Sequence, residues 1–146
     1  MIIADWHENE KDFCRRARSA RGAKYKREGK TMEIKRNGAN GRRAQSVSHN
    51  GILYTSGITT TDLDADITGQ TQDVIHIIDN ILARNGIDKT RVLTAAITLA
   101  DMADYGAFNA VWDAWVVDGY EPARSVTGGQ LAVPEYKIKI SVTAAL

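Results

Sequence analysis

The sequence has little of what marks an exported or membrane-spanning chain. Its one cysteine, Cys14, has no second cysteine for an internal disulfide, which fits a reducing cytoplasm. No apolar run is long enough to cross a bilayer, and the opening residues turn acidic where a signal peptide needs an apolar segment. The net charge is only +1, so no strong overall field draws the molecule to nucleic acid or to a membrane. These absences predict a cytoplasmic protein without a membrane partner.

The charge that is present lies unevenly along the 146 residues. Residues 1–31 contain nine Lys or Arg and five Asp or Glu, a net charge of +4, which leaves −3 for the remainder. Residues 1–31 are therefore predicted to be a flexible basic extension, or to lie upstream of a true start at Met32. Residues 32–146 are predicted to form one domain. A basic arm for RNA is a further interpretation, which the lack of interleaved aromatic residues disfavours.

After Met32 the hydrophobic pattern predicts an α/β domain with the element order β-β-β-α-β-α-β-β. Asn50-Gly51 is a two-residue hairpin signal between the second and third strands. Asp66 or Thr68 suits the start of the first helix, and Gly86 suits its end. The predicted strands span residues 33–36, 44–48, 52–55, 92–99, 123–127 and 136–144. The second helix, over 104–117, is predicted to bury Tyr105, Phe108, Trp112, Trp115 and Val116.

The strand over residues 92–99 carries apolar side chains at alternating and at intervening positions. Strict alternation puts Leu93, Ala95, Ile97 and Leu99 on one face and Val92 with Ala96 on the other. Two helices can cover only one face of a six-stranded sheet. The apolar residues on the second face therefore favour an oligomer, although they do not fix the number of copies.

Three stretches carry a family resemblance. The first is His49–Gly57, with the sequence HNGILYTSG. The second is the first helix with Gly86, followed by residues 92–101 and 104–115. The third is Pro122-Ala123-Arg124-Ser125, followed by 131–134 and the final strand. In this order and spacing, over roughly residues 41–146, the chain resembles the Rid (YjgF) family, formerly described as endoribonuclease L-PSP.

The resemblance implies a chorismate-mutase-like fold, with a six-stranded, mostly antiparallel sheet and two helices on one face. It also implies a homotrimer whose three sheets form a barrel-like core, with pockets between subunits that take small carboxylates. Active members of this family hydrolyse enamines and imines of the 2-aminoacrylate type to 2-keto acids without a metal or an organic cofactor. Older descriptions called some members endoribonucleases or translation inhibitors.

The resemblance assigns a carboxylate anchor to this chain. Arg124 matches the family arginine that holds the substrate carboxylate, and a planar guanidinium pairs with both carboxylate oxygens at once. Ser56 and Gly57 match residues that line the same pocket.

In this chain, other residues stand at the positions of the family side chains that are associated with catalysis. Lys139 stands where the family has a glutamate that is thought to activate water. Arg43, or its neighbour, stands at a pocket tyrosine, and Val126 stands at a frequent cysteine. A charged lysine has no lone pair with which to act as a base. Lys139 is therefore a binding cation, a deprotonated base or nucleophile, or a solvated lysine on the polar side of an edge strand.

Three functions remain open at this point. The first is a protein that binds small carboxylates and hydrolyses imines, and the second is a non-catalytic ligand-binding or regulatory trimer, which Lys139 favours. The third, an RNA-interacting protein, depends on residues 1–31 alone. Because Arg124, Lys139 and Arg43 are all cations, their combination predicts a preference for dianions over monoanions. The histidines and the cysteine are too scattered to predict a metal site.

Overall fold

The computed structural model describes residues 33–146. The prediction for residues 1–31 lies outside the described part of the chain. Six strands and two α-helices follow one another in the predicted order. They are β1 (Lys35–Asn37), β2 (Ser46–His49), β3 (Ile52–Thr55), α1 (Ile67–Arg84), β4 (Val92–Leu99), α2 (Tyr105–Trp115), β5 (Ala123–Gly128) and β6 (Ile138–Ala145). Short 3-10 turns precede β4 and α2, at Lys89–Arg91 and Met102–Asp104.

The strands form one sheet in the order β1-β2-β3-β6-β4-β5. Every neighbouring pair is antiparallel except β4 and β5, which are parallel because α2 connects them. The Asn50-Gly51 hairpin is confirmed, with both residues at positive φ, 51° and 77°. Such a turn suits the right-handed twist of the two strands that it joins. β1 and β5 are the edges of the sheet.

α1 begins and ends at residues with the expected capping chemistry. The Asp66 carboxylate accepts a hydrogen bond of 2.8 Å from the Gly69 N–H, which confirms Asp66 as the N-cap. The helix ends before Gly86, whose φ of 75° is readily available only to glycine. Its buried stripe includes Val74, Ile78 and Leu82. Burial of each such side chain contributes about 1.5–3 kcal/mol to stability.

α2 is shorter than predicted, because a 3-10 turn takes residues 102–104 and Val116 is already extended. Phe108, Trp112 and Trp115 are buried as predicted. The prediction for Tyr105 is wrong, since its side chain is 39% exposed. Tyr105 is the first residue of the helix, and the preceding 3-10 turn does not continue the α-helical spacing on which the prediction rests.

β4 departs from strict alternation at its first residues. Val92 pairs with Ala144 and Thr94 pairs with Thr143, so Leu93 is an extra residue in the strand. This bulge turns Val92 into the core and leaves Leu93 45% exposed, the reverse of the predicted arrangement. From Ala95 onward the predicted faces are correct, with Ala95, Ile97 and Leu99 buried.

The two helices lie over one face of the sheet, which we call the covered face. It contributes fully buried side chains such as Leu53, Ile138 and Ile140 to the core. The opposite face, here called the open face, carries exposed Tyr54 and Ala96. Within residues 33–146 no helix is long and apolar enough to cross a membrane.

β6 begins at Ile138, two residues later than predicted. The preceding residues form a turn in which the Tyr136 N–H donates to the Val133 carbonyl. The Lys137 N–H donates to the side-chain oxygen of Gln70. Gln70 is fully buried on α1, and its amide nitrogen donates to the Glu135 carbonyl at 2.9 Å. One buried amide thus fixes the turn that leads into β6.

Candidate functional site

Four of the predicted site residues form one group on the open face, which we call the Lys139 cluster (Arg43, Ser56, Gly57 and Lys139). The Arg43 guanidinium donates a hydrogen bond of 2.7 Å to the Ser56 hydroxyl. A side chain at Gly57 would put its Cβ 2.8 Å from Cδ of Lys139, so the lysine in its present conformation lies directly against the glycine. These contacts bring together residues that are up to 96 positions apart in the sequence.

The position of Lys139 on the open face follows from its neighbours. Ile138 and Ile140 are both fully buried in the core, and successive side chains of a strand point to opposite faces. Lys139 pairs with Thr98 of β4 and is exposed. It lies on β6, the fourth of the six strands across the sheet, and not on an edge strand. The interpretation of Lys139 as an edge-strand lysine is therefore wrong.

Arg124 lies in a different environment, the Arg124 cluster (Phe108, Asn109, Trp112 and Arg124). It pairs with buried Ala95 in the β4–β5 register, which places it on the covered face. Its guanidinium carbon lies 5.6 Å from the Phe108 ring centroid and 5.5 Å from that of Trp112. One of its nitrogens donates a 3.0 Å hydrogen bond to the Asn109 side-chain oxygen. Cation–π contacts and this amide hold the guanidinium without neutralising it.

A cleft of about 400 Å³ lies beside Arg124. Three acidic residues, Asp113, Asp118 and Glu121, line it together with Arg124. The Glu121 pKa is held below its usual value by hydrogen bonds from backbone N–H groups, its own and that of Gly119. Glu121 is therefore charged at neutral pH, and the field around Arg124 opposes a second negative charge on a ligand.

Val126 also lies on the covered face, two residues after Arg124 on β5. It is partly buried and packs against the hydrophobic core. It offers neither the thiol found in the family nor any polar atom. Its role in this chain is to support the edge strand below Arg124.

A single chain does not bring the two clusters together. Arg124 faces the helices, whereas Lys139 faces away from them, and β4 separates the strands that carry them. Two cations on opposite faces of a sheet cannot hold one small ligand. A pocket that uses both clusters needs one cluster from each of two chains.

Sequence reasoning missed Asn109, which orients Arg124, and Gln70, which fixes the start of β6. Asn109 follows Phe108 on α2, so a polar side chain adjacent to a buried aromatic stripe was the available signal. Gln70 sits in the buried stripe of α1 among apolar positions, where an uncharged amide requires internal partners. Among residues 33–146 no group of three or more His, Cys, Asp or Glu side chains could hold a metal ion.

Comparison with known proteins places the chain in a family. The family model described as Endoribonuclease L-PSP matches residues 33–146. The RutC family protein YoaB of Escherichia coli is 41% identical over 115 residues, which cover 79% of this chain and 100% of that protein. A solved structure of a YjgF family member from Neisseria meningitidis is 40% identical with a TM-score of 0.75, covering 79% and 96% of the two chains.

The chain therefore belongs to the endoribonuclease L-PSP family, the Rid/YjgF family that the sequence motifs indicate. The chorismate-mutase-like sheet with two helices on one face is the fold of these relatives. A more distant relative is Reactive Intermediate Deaminase A of Arabidopsis thaliana, 30% identical over 110 residues. That match covers 70% of this chain and 58% of the plant protein.

Proposed function

We propose that this chain binds small carboxylates of the 2-keto or 2-imino acid type in pockets between the chains of a homotrimer. The observation that carries the proposal is the state of Arg124. Its guanidinium is held by two aromatic rings and by a neutral amide, so its position is fixed while its charge is available for a carboxylate.

The location of the Lys139 cluster supports the trimer. Arg43, Ser56 and Lys139 lie on the open face, which the helices of the same chain do not cover. In a closed ring of three chains, each pocket would combine the Arg124 cluster of one chain with the Lys139 cluster of the next. Exposed Tyr54 and Leu93 provide apolar area for such contacts.

Binding without efficient hydrolysis is the form of this function that the residues favour. The cluster contains two cations and no carboxylate that could activate water. The plant relative is named as a deaminase, and imine hydrolysis to a 2-keto acid is the second candidate. A comparison of the natural protein with Lys139→Glu on an enzymatically generated 2-aminoacrylate enamine separates the two. Faster hydrolysis by Lys139→Glu supports binding alone, whereas an acceleration by the natural protein that equals that of Lys139→Glu supports catalysis by the natural chain.

Calorimetry with pyruvate tests the anchor. Arg124→Ala is expected to weaken binding by about 1.5–3 kcal/mol, the usual scale for a charge-assisted hydrogen bond. Arg36→Ala is the matched control, because Arg36 is an exposed arginine on β1 that belongs to neither cluster. Equal affinity of the Arg124→Ala and Arg36→Ala proteins would contradict the assignment.

A mixing experiment tests whether the pocket is shared. Arg124→Ala and Lys139→Ala proteins are unfolded together, refolded as mixed trimers, and titrated with pyruvate. In random mixtures about one quarter of the interfaces combine an intact Arg124 cluster with an intact Lys139 cluster. We expect binding at natural affinity to return at about that fraction of sites. If each pocket took both clusters from the same chain, every pocket would contain one altered cluster, and no site would recover natural affinity.

The dianion preference depends on the same arrangement. The acids beside Arg124 act against a second negative charge, so a preference for 2-ketoglutarate over pyruvate must come from Arg43 and Lys139 of the neighbouring chain. The double variant Arg43→Ala/Lys139→Ala is expected to remove this preference. If the double variant still prefers 2-ketoglutarate to pyruvate, residues other than Arg43 and Lys139 must bind the second carboxylate of the ligand.

A further inference from the structure

The cleft beside Arg124 carries charges of both signs. Arg124 is its cation, and Asp113, Asp118 and Glu121 are its acids, which gives a formal net charge of −2. Its volume of about 400 Å³ lies within the range of small-molecule sites. Acids next to the anchor weaken the binding of a plain carboxylate, because like charges repel. The lining is therefore poorly matched to a ligand that is only an anion.

The opposite charges of this cleft are not paired with each other. Within residues 33–146 the hydrogen-bond partner of the Arg124 guanidinium is the neutral Asn109 amide, and no ion pair joins Arg124 to an acid of the cleft. The Glu121 carboxylate accepts a hydrogen bond of 3.1 Å from the Gly119 N–H. The guanidinium and the carboxylate are thus each positioned by a neutral group, and the charge of each is available to a ligand.

Two of the acids lie on the segment that leads into the strand of Arg124. Asp118 and Glu121 belong to the connection between α2 and β5, and Glu121 comes three residues before Arg124. Their side chains lie next to each other. Two adjacent carboxylates repel each other, and a cation bound by both relieves that repulsion. One short segment therefore presents a site for positive charge close to the anchor for negative charge.

We infer that the carboxylate pocket selects ligands that also carry an ammonium group, as amino acids do, and that Asp118 and Glu121 determine this selectivity. Arg124 binds the carboxylate, and the two acids bind the nitrogen through charge-assisted hydrogen bonds. Specificity is a difference of affinities, and the acids that attract a zwitterion also repel a plain carboxylate. The inference rests on the proposed function, since it assigns a ligand class to the same anchor.

Calorimetry with three acids of equal carbon number tests the selectivity. Propanoate carries only the carboxylate, whereas alanine and 3-aminopropanoate add an ammonium group at the second and third carbon. We expect an aminated acid to bind about tenfold more tightly than propanoate. The tighter of the two aminated acids shows which carbon carries the nitrogen. In Asp118→Asn/Glu121→Gln the ratio should fall to about one, while propanoate binds more tightly than it does to the natural protein.

Glu33→Gln/Asp64→Asn is the matched control, because both acids are exposed and neither lines the cleft. It makes the same change of net charge and should keep the natural ratio. Pyruvate binding together with equal affinities for propanoate and the aminated acids overturns the selectivity and leaves the carboxylate pocket in place. If none of the four acids binds, both the selectivity and the pocket are contradicted.

Light scattering distinguishes the ligand role from a contact between chains. Asp118→Asn/Glu121→Gln should keep the mass of the natural protein. If this variant has a lower mass, the acids pair with cations of the neighbouring chain, and the inference is overturned.

Discussion

The Arg124 cluster and the Lys139 cluster are built in opposite ways. Arg124 is fixed by tertiary contacts with α2, and the cleft beside it is acidic. Lys139 lies on a strand face without a helix over it, beside a glycine that permits close approach and near a second cation. The first cluster is complete within one chain, whereas the second has no covering layer.

Under the proposed function, this difference lets a small domain contribute to a pocket that it does not enclose alone. The covered face supplies a rigid anchor, because α2 and β5 pack against the core. The open face supplies charge at a surface that a neighbouring chain can reach. Because the two clusters lie on opposite faces of the sheet, the side chains of one can change without disturbing the packing of the other.

The largest expected effect concerns the open face. Leu93→Asp puts a charge on an exposed leucine of the β4 bulge, and in a trimer interface an unpaired charge is strongly unfavourable. Light scattering at micromolar concentration should give about three times the chain mass for the natural protein and the mass of one chain for the variant.

Leu63→Asp is the matched control for this change. Leu63 is 43% exposed, close to the 45% of Leu93, but it lies in the loop before α1 and not on the open face. Its variant should keep the mass of the natural protein. If light scattering shows that the natural protein is a stable monomer, the proposed interface does not form, and the shared pocket is contradicted with it.

Gln70 connects the covered face to the strand that carries Lys139. Gln70→Ala removes the hydrogen bonds to the Glu135 carbonyl and the Lys137 N–H and leaves a gap in a fully buried position. The free energy of unfolding should fall by about 2–4 kcal/mol in urea denaturation. Gln72→Ala, exposed on the same helix, should change it by less than about 0.5 kcal/mol. Similar losses in both variants would contradict a special role for the Gln70 hydrogen bonds, since alanine has the higher helix propensity and does not itself destabilise a helix.

The fold was largely predictable because local signals agreed with one another. The hairpin at Asn50-Gly51, the Asp66 cap and the alternation of β6 each required only neighbouring residues. The bulge at Leu93 was not predictable, since it depends on how β4 registers against β6. Arg124 was identified through its motif, but its face, its aromatic support and Asn109 depend on the packing of α2. The residues of the candidate site could thus be named from the sequence, while their separation into two clusters could not.

The Asp73 carboxylate accepts hydrogen bonds from Thr60 and Thr61, in the loop that follows Ser56 and Gly57. It therefore stabilises the loop next to the Lys139 cluster. Burial acts to raise the Asp73 pKa, but hydrogen bonds from the Thr61 N–H and from the hydroxyls of Thr60 and Thr61 outweigh it. The folded pKa therefore lies below the unfolded value of about 3.8. A depressed pKa contributes stability above the unfolded value, and this stability is lost as the pH falls through the folded value.

Asp73→Asn is expected to lower the free energy of unfolding at pH 7 by about 1 kcal/mol, a figure discounted for partial solvation. The difference from the natural protein should begin to close below the unfolded value of about 3.8 and close further as the pH falls through the lower folded value, where the natural carboxylate becomes neutral. Urea denaturation from pH 7 to pH 3 measures it, with exposed Asp64→Asn as the control from the same loop. A difference that is independent of pH would assign the effect to packing and not to charge.

The smallest expected effect is that of deleting residues 1–31. The family model begins at residue 33, and 115 residues of this chain match the whole of the Escherichia coli relative. The composition of residues 1–31 is basic and irregular, so we expect their removal to leave the midpoint of thermal unfolding and pyruvate binding unchanged. A domain of this size shifts by several degrees for each kcal/mol lost, so calorimetry would detect even a modest contribution. A fall of many degrees would show that the segment packs on the domain, and the boundary at Met32 would then be wrong.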